Sequence, residues 1–131
     1  DITIAGSSGI GTIKEGQGIN EVINAFRPII DSHGFTEVTF ISASRFPNTG
    51  IYYLVPERGS FDALHKAIAE SEIQFNDNQW PYNPHCTLRS GPEPTDECDL
   101  LLKSMSIPKN SIIECFSLYQ PFSGGGRVHR F

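Results

Sequence analysis

The sequence predicts an α+β fold: a single two-lobed domain of antiparallel sheets with helices packed outside. Three observations predict it. Short runs of apolar alternation mark strands, and three longer stretches carry apolar residues at helical spacing. The order that results is β-α-β-β-α-β-α-β-β. Within that order Asp1-Ile2-Thr3-Ile4, followed by a helix and two strands, echoes His85-Cys86-Thr87-Leu88, followed by a helix and two strands. Each half opens on x-apolar-Thr-apolar. A duplicated half-domain would set the two opening strands side by side around a pseudo-two-fold axis.

Residues 1–5 alternate, with Ile2 and Ile4 on one face and Asp1 and Thr3 on the other, as a short strand requires. Residues 6–18 are rich in Gly and Ser and read as a long loop. Ile19, Val22, Ile23, Phe26, Ile29 and Ile30 then fall on one helical stripe. Pro28 lies inside it and predicts a kink or break over residues 24–27. Gly34 predicts a C-terminal cap. Residues 36–43 and 51–55 are β-rich and flank the turn Pro47-Asn48-Thr49-Gly50, which makes a hairpin-like pair.

Ser60 predicts the N-cap of a second helix, with Asp62 in its first turn and Phe61, Leu64, Ala67 and Ile68 as its apolar stripe. A polar and aromatic connection over residues 72–83, with a short strand at 73–75, leads to the strand at 85–88. Thr95 caps a third helix that turns Cys98, Leu101, Leu102 and Met105 toward the core. Residues 112–119 read as one strong strand, Ser123-Gly124-Gly125-Gly126 as a turn, and residues 127–131 as a closing strand.

A chain of 131 residues makes one domain and buries a core without staples. Its net charge of −5 argues against extended binding to nucleic-acid backbone, which needs a basic surface, but leaves room for a small anion in a local basic pocket. Cys86, Cys98 and Cys115 are odd in number and lack metal-ligand spacing, so they read as reduced thiols of a cytoplasmic chain. No apolar run approaches the roughly 20 residues of a membrane span, and no signal peptide is expected. The first residue is Asp1, not Met, so the chain is expected to be processed or to lack upstream residues.

The chemistry concentrates at Asn83-Pro84-His85-Cys86-Thr87-Leu88-Arg89. On a strand His85 and Thr87 share one face while Cys86 and Leu88 turn to the core. An imidazole and a hydroxyl side by side, with Arg89 next in line, suit a phosphate. His85 alone could equally satisfy a strand-edge hydrogen bond, and Thr87 is an ordinary β residue. Arg127 and His129 alternate on the last strand and could rim the pocket, or be solvated charges. Tyr52 and Tyr53 point to opposite faces, so one belongs to the core and the other can stack on a base. His33 and His65 read as surface residues. Gly9-Ile10-Gly11 has no lysine at phosphate-loop spacing, which excludes a triphosphate loop.

In this context the sequence resembles the two-histidine (2H) phosphoesterase superfamily, which includes 2′-5′ RNA ligase-like proteins and cyclic nucleotide phosphodiesterases. Trp80 through Pro84 followed by His85-Cys86-Thr87-Leu88 resembles the second His-x-Thr-apolar motif. Ile51-Tyr52-Tyr53-Leu54-Val55-Pro56 resembles the strand before it, Phe116-Ser117-Leu118-Tyr119 the late strand, and residues 126–131 the closing strand. Asp1-Ile2-Thr3-Ile4 stands where the first motif belongs: Thr3 matches its hydroxyl residue, and Asp1 occupies the place of its histidine. The resemblance also implies a strand and a helix ahead of the first motif that this sequence does not contain.

What the resemblance implies is metal-independent phosphodiester chemistry with no cofactor. One histidine acts as general base and the other as general acid, while the threonine hydroxyls hold phosphoryl oxygens. His85 and Thr87 would be catalytic; Thr3, Asp1, Tyr53, Arg89, Arg127 and His129 would bind substrate. The substrate would be a nucleotide or RNA end carrying a 2′,3′-cyclic phosphate or a 2′-5′ linkage. Asp1 is a poor replacement, because an anion repels phosphate and a carboxylate titrates near 3.9. Weak or no turnover is therefore expected. Two alternatives stand beside it: a degenerate domain that binds nucleotide or RNA ends, and an interaction domain that oligomerises through an uncovered sheet edge.

Overall fold

A computed structural model of the chain describes residues 1–120 and 125–131. Its elements run α1 (Ile19–His33), β1 (Glu37–Arg45), β2 (Tyr52–Pro56), α2 (Gly59–Ala69), β3 (Cys86–Arg89), α3 (Asp96–Ser104), β4 (Asn110–Ile112), β5 (Ser117–Gln120) and β6 (Gly126–Arg130). Four strands form an antiparallel sheet in the order β3-β2-β1-β4, and β5 and β6 form a separate antiparallel ribbon. The fold is α+β, as expected. The opening segment makes a single antiparallel bridge, Ile2 with Cys86, rather than a full strand. That bridge sets the two echoing segments side by side, as a duplicated arrangement requires.

Two apolar clusters hold these pieces. In one, Val22 and Phe26 of α1 meet Leu64 and Ile68 of α2 and Ile73. In the other, Val38, Phe40 and Leu54 of the sheet meet Phe61 of α2. Ile4 packs against both clusters, and Ile2 and Cys86 against the second. The apolar side of the opening segment is therefore anchored, which leaves Asp1 and Thr3 outward and exposed.

Several local expectations are corrected. Pro28 does not break α1, which is continuous from Ile19 to His33. Pro28 is exposed, so the carbonyl it leaves unpaired faces water, while buried Val22, Ile23 and Phe26 fix the helix on its other side. Gly34 does cap α1, its amide donating to the Ile30 carbonyl at 2.7 Å, but in an extended rather than a left-handed conformation (φ −63°). Its missing side chain matters for space instead, since a Cβ would strike the carbonyl of Ile30. Arg58, not Ser60, is the N-cap of α2.

Residues 112–119 are not one strand. β4 pairs with β1, β5 pairs with β6, and Phe116 between them turns inward to meet Phe35 edge-on at 5.6 Å. Thr95 does cap α3, accepting from the Cys98 amide at 3.2 Å, but α3 buries no residue. Leu101, at 59% exposure, and Leu102 line an open groove of about 430 Å³ with Leu88, Cys98 and Met105. Leu88 is thus half-exposed rather than core. The turn at residues 47–50 forms, with Asn48 left-handed at φ 59°. The turn expected at Ser123-Gly124-Gly125-Gly126 begins outside the described residues. No described helix is long and apolar enough to cross a membrane.

Candidate active site

The site is built on the register of β2 and β3. Tyr53 pairs with Thr87 and Leu54 with Cys86. Directly paired residues share a face, so Tyr53 stands beside Thr87, and Ser44 of β1, paired with Tyr53, continues the row. Leu54 and Cys86 face the core. The bridge from Ile2 to Cys86, carried one residue either way in its antiparallel sense, sets Thr3 opposite His85 and Asp1 opposite Thr87.

His85 sits just before β3 and is half-buried. Its Nδ1 lies 2.7 Å from the carbonyl oxygen of Asn83. A carbonyl can only accept, so Nδ1 carries the proton and Nε2 is left with the lone pair in the neutral ring. Phe46 and Tyr53 box the imidazole with ring centroids at 5.2 and 5.4 Å, and the two stack on each other at 4.3 Å. Tyr52 is the core tyrosine. Its hydroxyl donates to Asp99 Oδ1 at 2.8 Å, and Asp99 also pairs with Arg45 at 3.2 Å. Burial and that hydrogen bond push the Tyr52 phenol above its ordinary value.

A second group of side chains went unread in the sequence. Ser8 is buried, and its Oγ accepts from the Asn83 amide at 3.0 Å. His65 is not the surface residue its sequence context predicts. It is half-buried, donates from Nδ1 to the Ile4 carbonyl at 2.7 Å, and stacks on Tyr82 at 3.8 Å with the planes 6° apart. Burial pushes the Tyr82 phenol up strongly, with the Asp62 carboxylate adding to the rise. The one available signal was that His65 stands four positions after buried Phe61, on the flank of the α2 stripe. Nothing in the sequence marked Phe46.

The other expected site residues disperse. A register shift between Tyr52 and Tyr53 sets Arg89 opposite buried Tyr52, so Arg89 lines the groove beside α3 with Leu88. Arg127 and His129 lie on β6, opposite Tyr119 and Leu118, and His129 meets Phe131 edge-on at 4.7 Å. Among the described residues no hydrogen bond or ring contact joins either to His85. No described group of three or more His, Cys, Asp or Glu side chains is placed to hold a metal ion. Cys86, Cys98 and Cys115 are free thiols.

The arrangement offers one imidazole with a defined base nitrogen, two threonine hydroxyls on the same face and an aromatic wall. Comparison with curated proteins and with solved structures gives no match. A family model described as the 2'-5' RNA ligase superfamily matches residues 8–115, a span that contains His85, Thr87 and the aromatic wall and begins after Asp1 and Thr3. With that match over most of its length, the chain belongs to the 2'-5' RNA ligase superfamily.

Proposed function

We propose that the face carrying His85, Thr87 and Thr3 receives the phosphate of a nucleotide or RNA end, 2′,3′-cyclic or 2′-5′-linked, and works as a slow metal-independent phosphodiesterase. The observation that carries the reading is the Asn83 carbonyl 2.7 Å from His85 Nδ1, which aims a free Nε2 away from the backbone. In hydrolysis Nε2 takes a proton from water as the water oxygen bonds to phosphorus. The bond from phosphorus to the ribose oxygen breaks, and that oxygen takes its proton from solvent water as it leaves, a poorer donor than a positioned acid. Thr87 and Thr3 hydroxyls donate to the non-bridging oxygens, where charge grows. Tyr53 and Phe46 form the side on which a base rests.

The missing part is the acid. Asp1 stands in the place of the partner group, and a carboxylate ionised at neutral pH has no proton to give. Loss of one general acid or base costs roughly 10²–10⁴-fold in rate. Arg89, Arg127 and His129 are left out of the phosphate contacts, because no described contact brings them to His85. The second reading, binding without turnover, is favoured by Asp1 itself. Both are tested by hydrolysis of 2′,3′-cyclic nucleoside monophosphates. Slow release of a nucleotide monophosphate by the parent and at least about tenfold faster release by Asp1→His support the enzyme. Tight binding without product from either chain supports the binding module. Neither binding nor product rejects both.

A further inference from the structure

We infer that His65 and Tyr82 form a clamp that sets Thr3 against His85, a positioning role that rests on reading this face as a phosphate site. Thr3 needs such support. Ile2 and Ile4 anchor its segment on the apolar side, but the backbone is tied to β3 by one bridge, at Ile2, and a lone bridge leaves the intervening Thr3 freer to move than a full ladder would. The clamp grips the next two carbonyls. His65 Nδ1–H donates to Ile4 at 2.7 Å, and the Tyr82 hydroxyl reaches the carbonyl of Thr3 at 3.4 Å. The two rings stack at 3.8 Å, so each fixes the plane of the other.

The clamp is held from both sides. From the N-cap of α2, Arg58 donates to the Tyr82 carbonyl at 2.8 Å while paired with Asp62. From the loop, Gly9 lies so close that a side chain there would strike the His65 imidazole and the Tyr82 Cβ, and its φ of +72° favours glycine. Gly9 N–H donates to Trp80 at 2.8 Å, and adjacent Ser8 accepts from Asn83 at 3.0 Å. Asn83 is the residue whose carbonyl orients His85. One corner of the loop thus connects the group that places Thr3 to the group that aims His85. Among the described residues neither His65 nor Tyr82 makes a side-chain hydrogen bond or ring contact with His85 or Thr87, so they act through Thr3.

The test uses His65→Leu, which removes the donor; His65→Asn, which keeps an N–H in its place; and Tyr82→Phe, which keeps the stack and removes the hydroxyl. Two readouts are needed. Hydrogen exchange of the backbone amides of residues 2–6 and the Thr3 methyl resonance report the segment without reference to activity. Affinity for a nucleoside 2′-phosphate reports the site. In His65→Leu the amides of residues 2–6 are expected to exchange at least about tenfold faster, the Thr3 methyl to move toward its disordered position, and affinity to fall about tenfold. His65→Asn should restore most of both. Unchanged exchange and methyl position in His65→Leu overturn the clamp. If His65→Leu does not fold, Tyr82→Phe is read the same way, with a smaller change expected and no change overturning it. A parent that binds no nucleotide defeats the phosphate reading, while exchange and methyl position still decide the clamp.

Discussion

A carbonyl accepts and never donates, so Asn83 decides which nitrogen of His85 carries the proton. The sequence made His85 and Thr87 legible, because alternation on a strand places them together. It could not show the tautomer, which depends on the turn of the backbone at Asn83. Phe46 and His65 were equally hidden, since each is brought in by contacts distant along the chain. At this scale Thr87→Val is expected to weaken binding of a nucleoside 2′-phosphate by about 1.5–3 kcal/mol, the range for a hydrogen bond to a charged group. The thermal midpoint should hardly change, because Thr87 is exposed. Titration calorimetry beside a melting curve separates the two effects.

Among the elements, those with a strong period were readable and those defined by a partner were not. The stripes of α1 and α2 were plain, and Val22, Phe26, Leu64 and Ile68 are buried together. Residues 112–119 looked like one strand because period 2 does not tell which sheet a residue joins. The segment serves two, β1 through β4 and β6 through β5. Pro28 misled for a similar reason, since its cost depends on which face of the helix it occupies. Pro28→Ala removes that cost and restores the hydrogen bond to Asn24. It should stabilise the chain by up to about 3 kcal/mol, read as a higher urea midpoint at unchanged slope. Thr95→Ala removes the hydroxyl that caps α3 and should destabilise by about 0.5–2 kcal/mol. Because α3 buries nothing, the same assay should show α3 loosening before the sheet.

At the scale of the whole molecule, two phenols tie the layers together. Tyr52 binds β2 to α3 through Asp99, and Tyr82 packs the connection before β3 onto α2. Both are held above their ordinary values by burial. The unfolded chain starts to release these protons near pH 10, whereas the folded chain keeps them longer. Their contribution is therefore fully present below about pH 10 and is lost as pH rises through the folded values. The thermal midpoint should fall above about pH 10, and more gently in Tyr52→Phe.

The most direct measurement of the central claim is the affinity of a nucleoside 2′-phosphate for the parent, His85→Ala and Thr87→Val chains, followed by isothermal titration at neutral pH. The site described here predicts binding by the parent that weakens about tenfold or more in each variant. Equal affinity in all three chains, or none in the parent, would contradict it.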